Sequence, residues 1–388
     1  MVQIAESTGD VKRVFNICTF GAVGDGTHDD SAAIQSALAA ATAMNGCLYI
    51  PPGTFKVTQP LELAGLQSQV AIRGDGPNIS VLVAHQGIDM LTLAFEQLGA
   101  MQPWGLNLMD VGFRAIGRAG TAITVSYGNP EVTSDHYRPS TVLRNVVIAS
   151  DDLGSWSNGI NITAAWNIAM SDVFISGDSA GGNWNAMSGN GIQLNRMCVN
   201  AHFSNVRCNF WATGIYYHAE NGGNTEGLFF SNCSIIGVQR GLWITGNGAG
   251  PAPRVSTLTW TGGLIECRVG GVAGGSAAFH LVSVWTALIT GVQLIAETLP
   301  TTHTTYAVFA DNCAGLVLTG CDVNAWHYGL FTVGSCRAIC AHGNTYTNCA
   351  IQNCFNQGTV ASRSFGHVLF NDPPNDQDHA GVNKLGFV

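Results

Sequence analysis

Two glutamates in one glycine-rich segment are the residues of this sequence best suited to acid–base chemistry. Glu220 and Glu226 enclose the stretch Asn-Gly-Gly-Asn-Thr, and the segment begins two residues after His218. Hydrolysis of a glycosidic bond needs one carboxylic acid for the leaving oxygen and one carboxylate as base or nucleophile. We therefore consider Glu220 and Glu226 candidate catalytic residues, with His218 tuning one of them and Asp178 as a further partner. The alternative is that both glutamates are solvated loop residues.

A second pair of carboxylates, Glu266 and Asp322, belongs to a different set of repeated strands. Two coils of a stacked β structure would separate them by about 10 Å, which is near the wider carboxyl spacing of inverting hydrolases. Arg207 occupies an equivalent outward position and is a candidate for substrate binding. The alternative is that these residues form an ordinary polar exterior or a subunit contact.

Two strand patterns that alternate from about residue 120 must position these side chains. The first pattern is Gly-apolar-x-apolar, and the second is polar-polar-apolar-x-apolar. Copies recur every ~22 to 33 residues, as in a solenoid, and each alternates inward and outward side chains. A propeller blade would need about 40 residues, and a sandwich would show hairpin turns. The repeat therefore predicts an all-β parallel β-helix. Clear copies of the two patterns begin at Gly159, Gly191, Gly214 and Gly241, and at Arg144, Ser171, Ser204 and Ser231.

Stacking of the coils predicts which outward side chains become neighbours. Equivalent positions of successive coils lie ~4.8 Å apart. Aromatic rings beside polar groups suit a sugar, whose C–H faces pack on rings while its hydroxyls hydrogen-bond. The first outward column comprises Asn161, Gln193, Tyr216, Trp243 and His280, and the second comprises Thr163, Asn195, His218, Thr245 and Val282. The substrate-binding candidates are Gln193, Asn195, Tyr216, Tyr217, Trp243, Trp184 and Arg207.

Other positions of the repeat predict structural roles. Asp172, Asn205 and Asn232 fall in one column and predict a ladder of hydrogen-bonded side chains at a corner of the coil. Trp156, Trp184 and Trp326 are expected in loops, where a sugar contact or a subunit contact is the alternative to packing. The expected outward positions near the C-terminus are apolar, and they are Val308, Ala310, Phe331 and Val333.

The most specific motif stands before the repeats. It reads Phe20-Gly-Ala-Val-Gly-Asp-Gly-Thr-His-Asp-Asp-Ser-Ala-Ala-Ile-Gln35, followed by Gly46-Cys-Leu-Tyr-Ile-Pro-Pro-Gly-Thr-Phe55. The Ala-rich stretch from Ser31 to Met44 predicts an amphipathic helix with Asp29, Asp30 and Ser31 at its N-terminus. A helix placed here would cover the open end of the stacked strands.

This motif resembles the N-terminal motif of the pectate-lyase-like, phage-tailspike-like superfamily of right-handed parallel β-helices. Three positions depart from that pattern, because His28 and Ser31 replace threonines and Phe55 replaces a tyrosine. The resemblance implies a right-handed β-helix with a short capping helix, the activity of a polysaccharide depolymerase and a homotrimer. We expect residues 1–60 to form the N-terminal strand and capping helix, residues 61–355 the coils, and residues 356–388 a C-terminal tail.

Composition limits the partners of the chain. A net charge of −9 argues against nucleic acid, since a phosphate backbone needs a basic surface. No apolar run reaches membrane-spanning length, so we expect no membrane partner. Met1 to Asp10 lacks the apolar core of a signal peptide. We therefore expect synthesis in the cytoplasm and, from the resemblance, an extracellular or virion-associated protein.

The 12 cysteines show no CxxC pair and no zinc spacing, so we expect no metal and no other cofactor. Cys208, Cys233 and Cys321 stand where neighbouring coils carry Ile or Val, which predicts small buried apolar residues. The closest group in sequence keeps a metal or disulfide interpretation open, and it comprises Cys336, Cys340, Cys349 and Cys354.

Three functions remain open from the sequence. We favour an enzyme that hydrolyses a bacterial surface or extracellular polysaccharide. The first alternative is a lyase that eliminates across a uronic acid, with His218, Tyr217, Arg196, His202 or Arg207 as base or cation. The second alternative is a non-catalytic glycan-binding β-helix.

Overall fold

The repeat folds into short parallel strands that stack coil on coil. The computed structural model describes residues 13–96, 104–128, 140–150, 154–178, 187–219, 226–246, 255–268, 275–297, 304–334, 336, 338–356, 369–370 and 377–378. All strand pairs between these residues are parallel, and each strand pairs with its counterparts in the coils before and after it. The chain is a right-handed parallel β-helix, as the sequence predicts.

The strands, numbered along the chain, form two sheets. Within the described residues, sheet A has 21 strands and sheet B has 12. The strands of sheet A are β1 (Val14–Asn16), β2 (Asp25–Asp29), β3 (Cys47–Tyr49), β4 (Gly53–Val57), β6 (Gln69–Arg73), β7 (Ser80–Ala84), β9 (Gly105–Met109), β10 (Gly112–Ala115), β12 (Ser140–Ile148), β14 (Trp166–Ser176), β16 (Val199–Ser204), β17 (Arg207–Asn209), β19 (Leu228–Val238), β21 (Leu258–Cys267), β23 (Ala287–Thr290), β24 (Gln293–Ala296), β26 (Leu316–Thr319), β27 (Asp322–Asn324), β29 (Cys340–His342), β30 (Thr345–Thr347) and β32 (Leu369–Phe370). The strands of sheet B are β5 (Leu61–Leu66), β8 (Leu91–Phe95), β11 (Gly117–Tyr127), β13 (Gly154–Thr163), β15 (Asn190–Asn195), β18 (Thr213–Ala219), β20 (Arg240–Gly246), β22 (Ser276–Val282), β25 (Thr305–Asp311), β28 (Tyr328–Val333), β31 (Ile351–Asn356) and β33 (Gln377–Asp378).

A corner within sheet A is built from residues in the left-handed backbone region. Asn205 has φ of 52°, and its amide donates to the carboxylate of Asp172 over 2.7 Å. Asn145 makes the same bond to Asp110 over 2.8 Å. The Asn205–Asp172 bond confirms the first step of the predicted ladder, because Asn and Asp tolerate this conformation and pair along the stack. Asn232 shares the left-handed conformation, with φ of 50°. Glycines with positive φ take over the corner in later coils, at Gly262, Gly291, Gly320 and Gly343.

Inward side chains of successive coils stack into a continuous apolar core. Phe203, Phe230 and Trp260 form one such stack, with ring centroids 4.6 and 4.4 Å apart. Trp156 and Trp326 also belong to the core, and their indole N–H groups donate to the carbonyls of Ala149 and Leu294. The expected loop position is wrong for Trp156, which lies in β13. It is correct for Trp326, which lies between β27 and β28 but is packed in the core. Trp184 lies outside the described residues.

Two further positions near the C-terminus face inward rather than outward. Val308 and Ala310 are fully buried, because β25 pairs with β22 and β28 in a register that turns Phe309 and Asp311 outward. The predicted outward positions Val308 and Ala310 are therefore wrong. Phe331 and Val333 pair with these two outward residues.

The helix α1 (Ser31–Ala43) covers the N-terminal coil, as the sequence predicts. Its buried stripe is the expected one and comprises Ile34, Ala37, Leu38 and Ala41. The Asp30 side chain does not cap the helix. It accepts the backbone N–H groups of Val23 and Gly24 over 2.7 and 3.1 Å, whereas Asp29 accepts the N–H of Ser31. The glycine-rich turn and the helix are thus joined through one buried carboxylate.

The described parts of the N-terminal segment and the tail continue the stack. β1 pairs with β3, and β32 and β33 pair with β29 and β31. The domain boundaries at 60 and 355 remain predictions. Cys208, Cys233 and Cys321 are buried in the core as expected. No helix in the described part of the chain is long and apolar enough to cross a bilayer.

Candidate functional site

The outward face of sheet B carries the predicted column of polar and aromatic side chains. The strand registers join Asn161 to Gln193, Gln193 to Tyr216, Tyr216 to Trp243 and Trp243 to His280. The column continues through Phe309 to Phe331. Parallel pairing without a bulge fixes this order, since a slip by one residue would turn every side chain to the core.

The rings of this column contact one another from coil to coil. Tyr216 lies 4.9 Å from Trp243 between ring centroids, and Trp243 lies edge-on to His280 at 5.9 Å. His280 stacks on Phe309 at 4.6 Å, and Phe309 stacks on Phe331 at 5.9 Å. All five rings are only partly buried. The face therefore offers a continuous aromatic surface along the axis of the β-helix.

Side-chain amides form a hydrogen-bonded network at the N-terminal end of these rings. Asn190 donates to Gln193 over 2.9 Å, and Gln193 donates to Asn195 over 2.9 Å. Asn195 in turn donates to Asn161 over 2.6 Å. The amides hold one another in fixed orientations, which leaves ordered donors and acceptors beside the first aromatic ring. Gln193 and Asn195 thus lie where the sequence predicted substrate contacts.

The next coil brings Tyr216, His218 and Thr245 together. The Tyr216 hydroxyl lies 3.2 Å from His218 Nδ1 and 3.2 Å from the Thr245 hydroxyl. Arg196 lies at the same edge of the sheet, because its backbone N–H donates to the carbonyl of His218 over 3.0 Å. A phenol and an imidazole of one strand therefore lie at one edge of the aromatic column, and the backbone of Arg196 from the preceding coil lies at the same edge.

Tyr217 is not part of this face. Its side chain is fully buried, and its hydroxyl donates to the carbonyl of Arg196 over 2.6 Å. Burial raises the pKa of Tyr217 well above its ordinary value. The prediction of Tyr217 as a substrate-binding residue is wrong, because alternation along β18 turns Tyr216 and His218 outward and Tyr217 inward.

A buried cation sets the electrostatics in the middle of the column. The Arg240 guanidinium lies 4.0 Å from the centre of the Trp243 ring, a cation–π contact. Burial, and secondarily the charge of Arg240, lower the pKa of His280 to about 4. His280 is therefore neutral at pH 7. Its Nδ1 and the Trp243 N–H are buried and have no hydrogen-bond partner among the residues that the structure describes.

The candidate carboxylates of the loops are divided between the two edges of sheet B. Glu226 is exposed and follows β18, and its carbonyl accepts the N–H of Asn200 over 2.6 Å. Asp178 is exposed and precedes β15, so it lies at the opposite edge. The structure therefore does not bring Asp178 together with Glu226. Glu220 lies outside the described residues. Within the described coils from β13 to β22, no Asp or Glu occupies either outward column.

The second pair of carboxylates lies on sheet A. Glu266 pairs with Ile236, which pairs with Asn209, so Glu266 and Asn209 stand in one column as predicted. Asp322 pairs with Gln293, also as predicted. Glu266 is within 3.7 Å of the Arg268 guanidinium, which also binds Glu297 over 2.6 Å. Arg207 is exposed in the column that leads to Asp322. The ion pairs give Glu266 a structural partner. The catalytic role of Glu266 and Asp322 stays a prediction.

Sequence reasoning missed two charged residues of sheet B. Arg240 begins its strand directly before a Gly-Leu-Trp-Ile repeat, and strand alternation gives no indication of its contact with Trp243 three residues later. Asp311 is outward and half-buried, and burial raises its pKa. The sequence analysis missed Asp311 because it predicted Val308 and Ala310 as the outward residues of β25, which would turn Asp311 inward.

Metal-binding geometry is not seen in the part of the chain that the structure describes. No group of three or more His, Cys, Asp or Glu side chains there is placed to hold an ion. The arrangement on sheet B instead combines rings, amides, an imidazole and a phenol, which suits recognition of a neutral or weakly charged sugar chain.

A sequence profile for the family described as rhamnogalacturonase A/epimerase, pectate lyase-like matches residues 14–242. The chain belongs to this family. The match covers the amide network, Tyr216 and His218, and it ends one residue before Trp243. Polysaccharide-active β-helix proteins are thus its relatives, and the fold and family resemblance inferred from the N-terminal motif are confirmed.

Curated relatives match over short stretches. Mannuronan C5-epimerase AlgE6 of Azotobacter vinelandii is 38% identical over 150 residues, 37% of this chain and 14% of the epimerase. AlgE3 of the same organism is 42% identical over 73 residues, 18% of this chain and 4% of the epimerase. The chain therefore corresponds to a small part of these relatives' length.

Among solved structures, the N-terminal fragment of bacteriophage phi29 gene product 12 has a similar fold. The TM-score is 0.53 at 17% sequence identity, over 88% of this chain and 65% of that chain. The longer pre-mature form of the same phage protein gives a TM-score of 0.51 at 16% identity. At this level of identity the likeness concerns the fold.

Proposed function

We propose that this protein is a polysaccharide depolymerase that binds its substrate along the outward face of sheet B. The observation that carries the proposal is the ring column from Tyr216 to His280, preceded by the oriented amides of Gln193 and Asn195. The rings repeat once per coil, about every 4.8 Å, which is close to the length of one sugar residue in a chain. Rings offer apolar contacts to sugar faces, and the amides offer hydrogen bonds to hydroxyls.

Hydrolysis is the reaction we place at the edge of this face. The segment between His218 and Glu226 contains both candidate glutamates and begins beside the hydrogen-bonded Tyr216, His218 and Thr245. One glutamate would protonate the leaving oxygen, and the other would activate water or attack the sugar. His218 would favour the ionised form of a nearby carboxylate whenever the imidazole is protonated.

β-Elimination is a second candidate, favoured by the Tyr216–His218 pair and by Arg196 at the same edge. Elimination from a uronate needs a base for the proton next to the carboxylate and a cation that neutralises that carboxylate. A phenol–imidazole pair 3.2 Å apart can pass a proton, and Arg196 can pair with a carboxylate. Epimerisation would use the same first step and then return the proton from the other face.

One digestion experiment separates these reactions. The protein is incubated with a panel of bacterial exopolysaccharides and plant uronates, and reducing ends and the ultraviolet absorbance of unsaturated uronate ends are recorded together. We expect reducing ends without absorbance. Absorbance that rises with the reducing ends would replace hydrolysis with elimination. Inversion at C5 seen by NMR, without new ends, would indicate an epimerase. Binding of a polymer without any of these changes would support the non-catalytic alternative.

Variants then test the assignment of the residues. Glu220→Gln and Glu226→Gln should each lower kcat at least 100-fold in a hydrolase while leaving substrate binding intact. The exposed Glu62, on a distant coil, provides the matched control Glu62→Gln, which should retain activity. In a lyase, His218→Asn and Tyr216→Phe would cause the loss instead.

We also propose that the protein acts outside the cell or on a virion, as a homotrimer. The outward rings of Phe309 and Phe331 and the side chain of Val333 support a subunit contact at the C-terminal end of sheet B. Sedimentation equilibrium of the purified chain tests this state, and a monomer at micromolar concentration would contradict it.

A further inference from the structure

Cys313 and Cys336 face each other across adjacent coils at the C-terminal end of sheet B. Cys313 follows β25 and Cys336 follows β28, and these strands pair in register. Both side chains are buried, with Cys336 at 9% exposure and Cys313 at 1%. The backbone N–H of Cys313 donates to Cys336 Sγ over 3.3 Å, which places the Cys336 sulfur directly against Cys313.

The hydrogen bonds make the two sulfurs chemically unequal. The Cys313 N–H donates to Cys336 Sγ, whereas the Cys313 thiol donates to the carbonyls of Leu281 and Asp311 over 3.5 Å. Contact with Cys313 lowers the pKa of Cys336 despite its burial, and contact with Cys336 together with burial raises the pKa of Cys313 well above its ordinary value. Cys336 is therefore the nucleophilic member, since the thiolate is the form that attacks. Cys313 lies in position to react with whatever forms on Cys336.

We propose that Cys313 and Cys336 are an oxidation site that forms a disulfide between two neighbouring coils. With hydrogen peroxide as oxidant, the Cys336 thiolate attacks one peroxide oxygen and becomes a sulfenic acid, and the O–O bond breaks with release of water. The Cys313 sulfur then attacks the sulfenic sulfur. The S–S bond forms, and the displaced hydroxide takes the Cys313 proton and leaves as a second water. Two thiols are oxidised and one peroxide is reduced to two waters.

A second pair of buried cysteines in the same protein provides the contrast. Cys208 and Cys233 also belong to adjacent coils, since Cys208 pairs with Ile235 two residues along β19. Burial raises the pKa of both thiols, that of Cys233 to about 11. The Cys233 thiol donates to the carbonyls of Phe203 and Ser231 over 3.5 Å rather than to Cys208. This pair should remain reduced under conditions that oxidise Cys313 and Cys336.

Peptide mapping of the folded, peroxide-treated full chain tests the proposal. The protein is kept dilute so that the exposed Cys18 does not pair between molecules, and free thiols are blocked with N-ethylmaleimide before digestion. We expect a linked peptide pair that contains Cys313 and Cys336, about 2 Da lighter than the two thiol peptides together. Cys208 and Cys233 should be recovered as thiols. Recovery of Cys313 and Cys336 as separate thiols, or a link from Cys336 to Cys340 or Cys349, would overturn the proposal.

Two single variants test the order of the reaction. In Cys313→Ser, Cys336 should stop at the sulfenic acid and be labelled by dimedone. In Cys336→Ser, Cys313 should remain a thiol, because its side chain is buried away from the oxidant. Labelling of Cys313 in preference to Cys336 would contradict the assigned roles. In the wild-type chain, the closed loop of about 20 residues should raise the midpoint of thermal unfolding by about 3–6 °C after oxidation, and dithiothreitol should reverse the rise.

Discussion

His280 should make the stability of this protein fall between neutral pH and pH 4. The imidazole lies between the rings of Trp243 and Phe309, and burial together with Arg240 lowers its pKa to about 4. In the unfolded chain the same group titrates near its ordinary pKa of about 6.5. Between these two values the unfolded state binds the proton and the folded state does not. The destabilisation caused by His280 is therefore absent above about pH 6.5, grows as the pH falls, and levels off below about pH 4.

The size of the effect follows from the two pKa values. A difference of about 2.5 pKa units, at 1.36 kcal/mol each, corresponds to about 3 kcal/mol of lost unfolding free energy at pH 4. The substitution His280→Phe removes the titration and keeps an aromatic ring between Trp243 and Phe309. The substitution His85→Phe removes an exposed histidine and serves as the control.

Urea unfolding, followed at several pH values between 4 and 7, measures this contribution. The difference in unfolding free energy between His280→Phe and the wild type should grow in favour of the variant by about 3 kcal/mol as the pH falls through this range. The difference in unfolding free energy between His85→Phe and the wild type should stay nearly constant over the same pH range. If the wild type and His280→Phe instead keep a constant difference within about 0.5 kcal/mol, His280 is not held neutral by its surroundings, and the account of the column's electrostatics is wrong.

Two further predictions concern the corner and the face of the coil. Asn205→Ala should cost about 2 kcal/mol in urea unfolding, because it loses the bond to Asp172 and puts a Cβ without compensation at positive φ, whereas Asn205→Gly should cost about 1 kcal/mol. Equal costs for the Ala and Gly variants would contradict the argument from the left-handed backbone. Gly291→Asn should be neutral or slightly stabilising, since Asn tolerates the left-handed region and a Cβ there meets no heavy atom within 4 Å. Trp243→Ala should raise KM for a polymer substrate about 10-fold with kcat little changed, and Trp243→Phe should raise it less. Unchanged kinetics in both Trp243 variants would place the substrate elsewhere.

The register of sheet B could be predicted from the sequence wherever a strand alternates between apolar and polar or aromatic side chains. Gln193, Tyr216 and Trp243 were aligned correctly, because glycine before an alternating stretch fixes both the start and the face of each strand. The capping helix and the corner ladder could also be predicted, since each rests on local chemistry of helix termini and of the left-handed region.

The errors share a physical cause. In β25 the run Ala-Val-Phe-Ala is apolar on both faces, so alternation gave no information and Val308 was assigned outward. Trp326 lies in the expected loop after β27, but its indole is buried in the core, where the N–H donates to the carbonyl of Leu294. Tyr217 is a large polar ring that the core accommodates by giving its hydroxyl a backbone carbonyl. Ionic partners such as Arg268 and Glu297 meet only through the fold.

The change from asparagine to glycine at the corner divides the solenoid into two parts that differ in how strongly each coil is linked to the next. A stack of coils unfolds as a one-dimensional lattice, in which each coil is held only by its nearest neighbours. Up to Asn232 the corner residues carry side chains that can link one coil to the next, and from Gly262 onward they carry none. Fraying should therefore begin at the C-terminal end and slow near Asn232. In a hydrogen-exchange experiment, the amide exchange rates should rise in one step between β19 and β21. Tyr216 lies on the slowly exchanging side. Cys313 and Cys336 lie on the rapidly exchanging side, where a disulfide between them would slow the exchange.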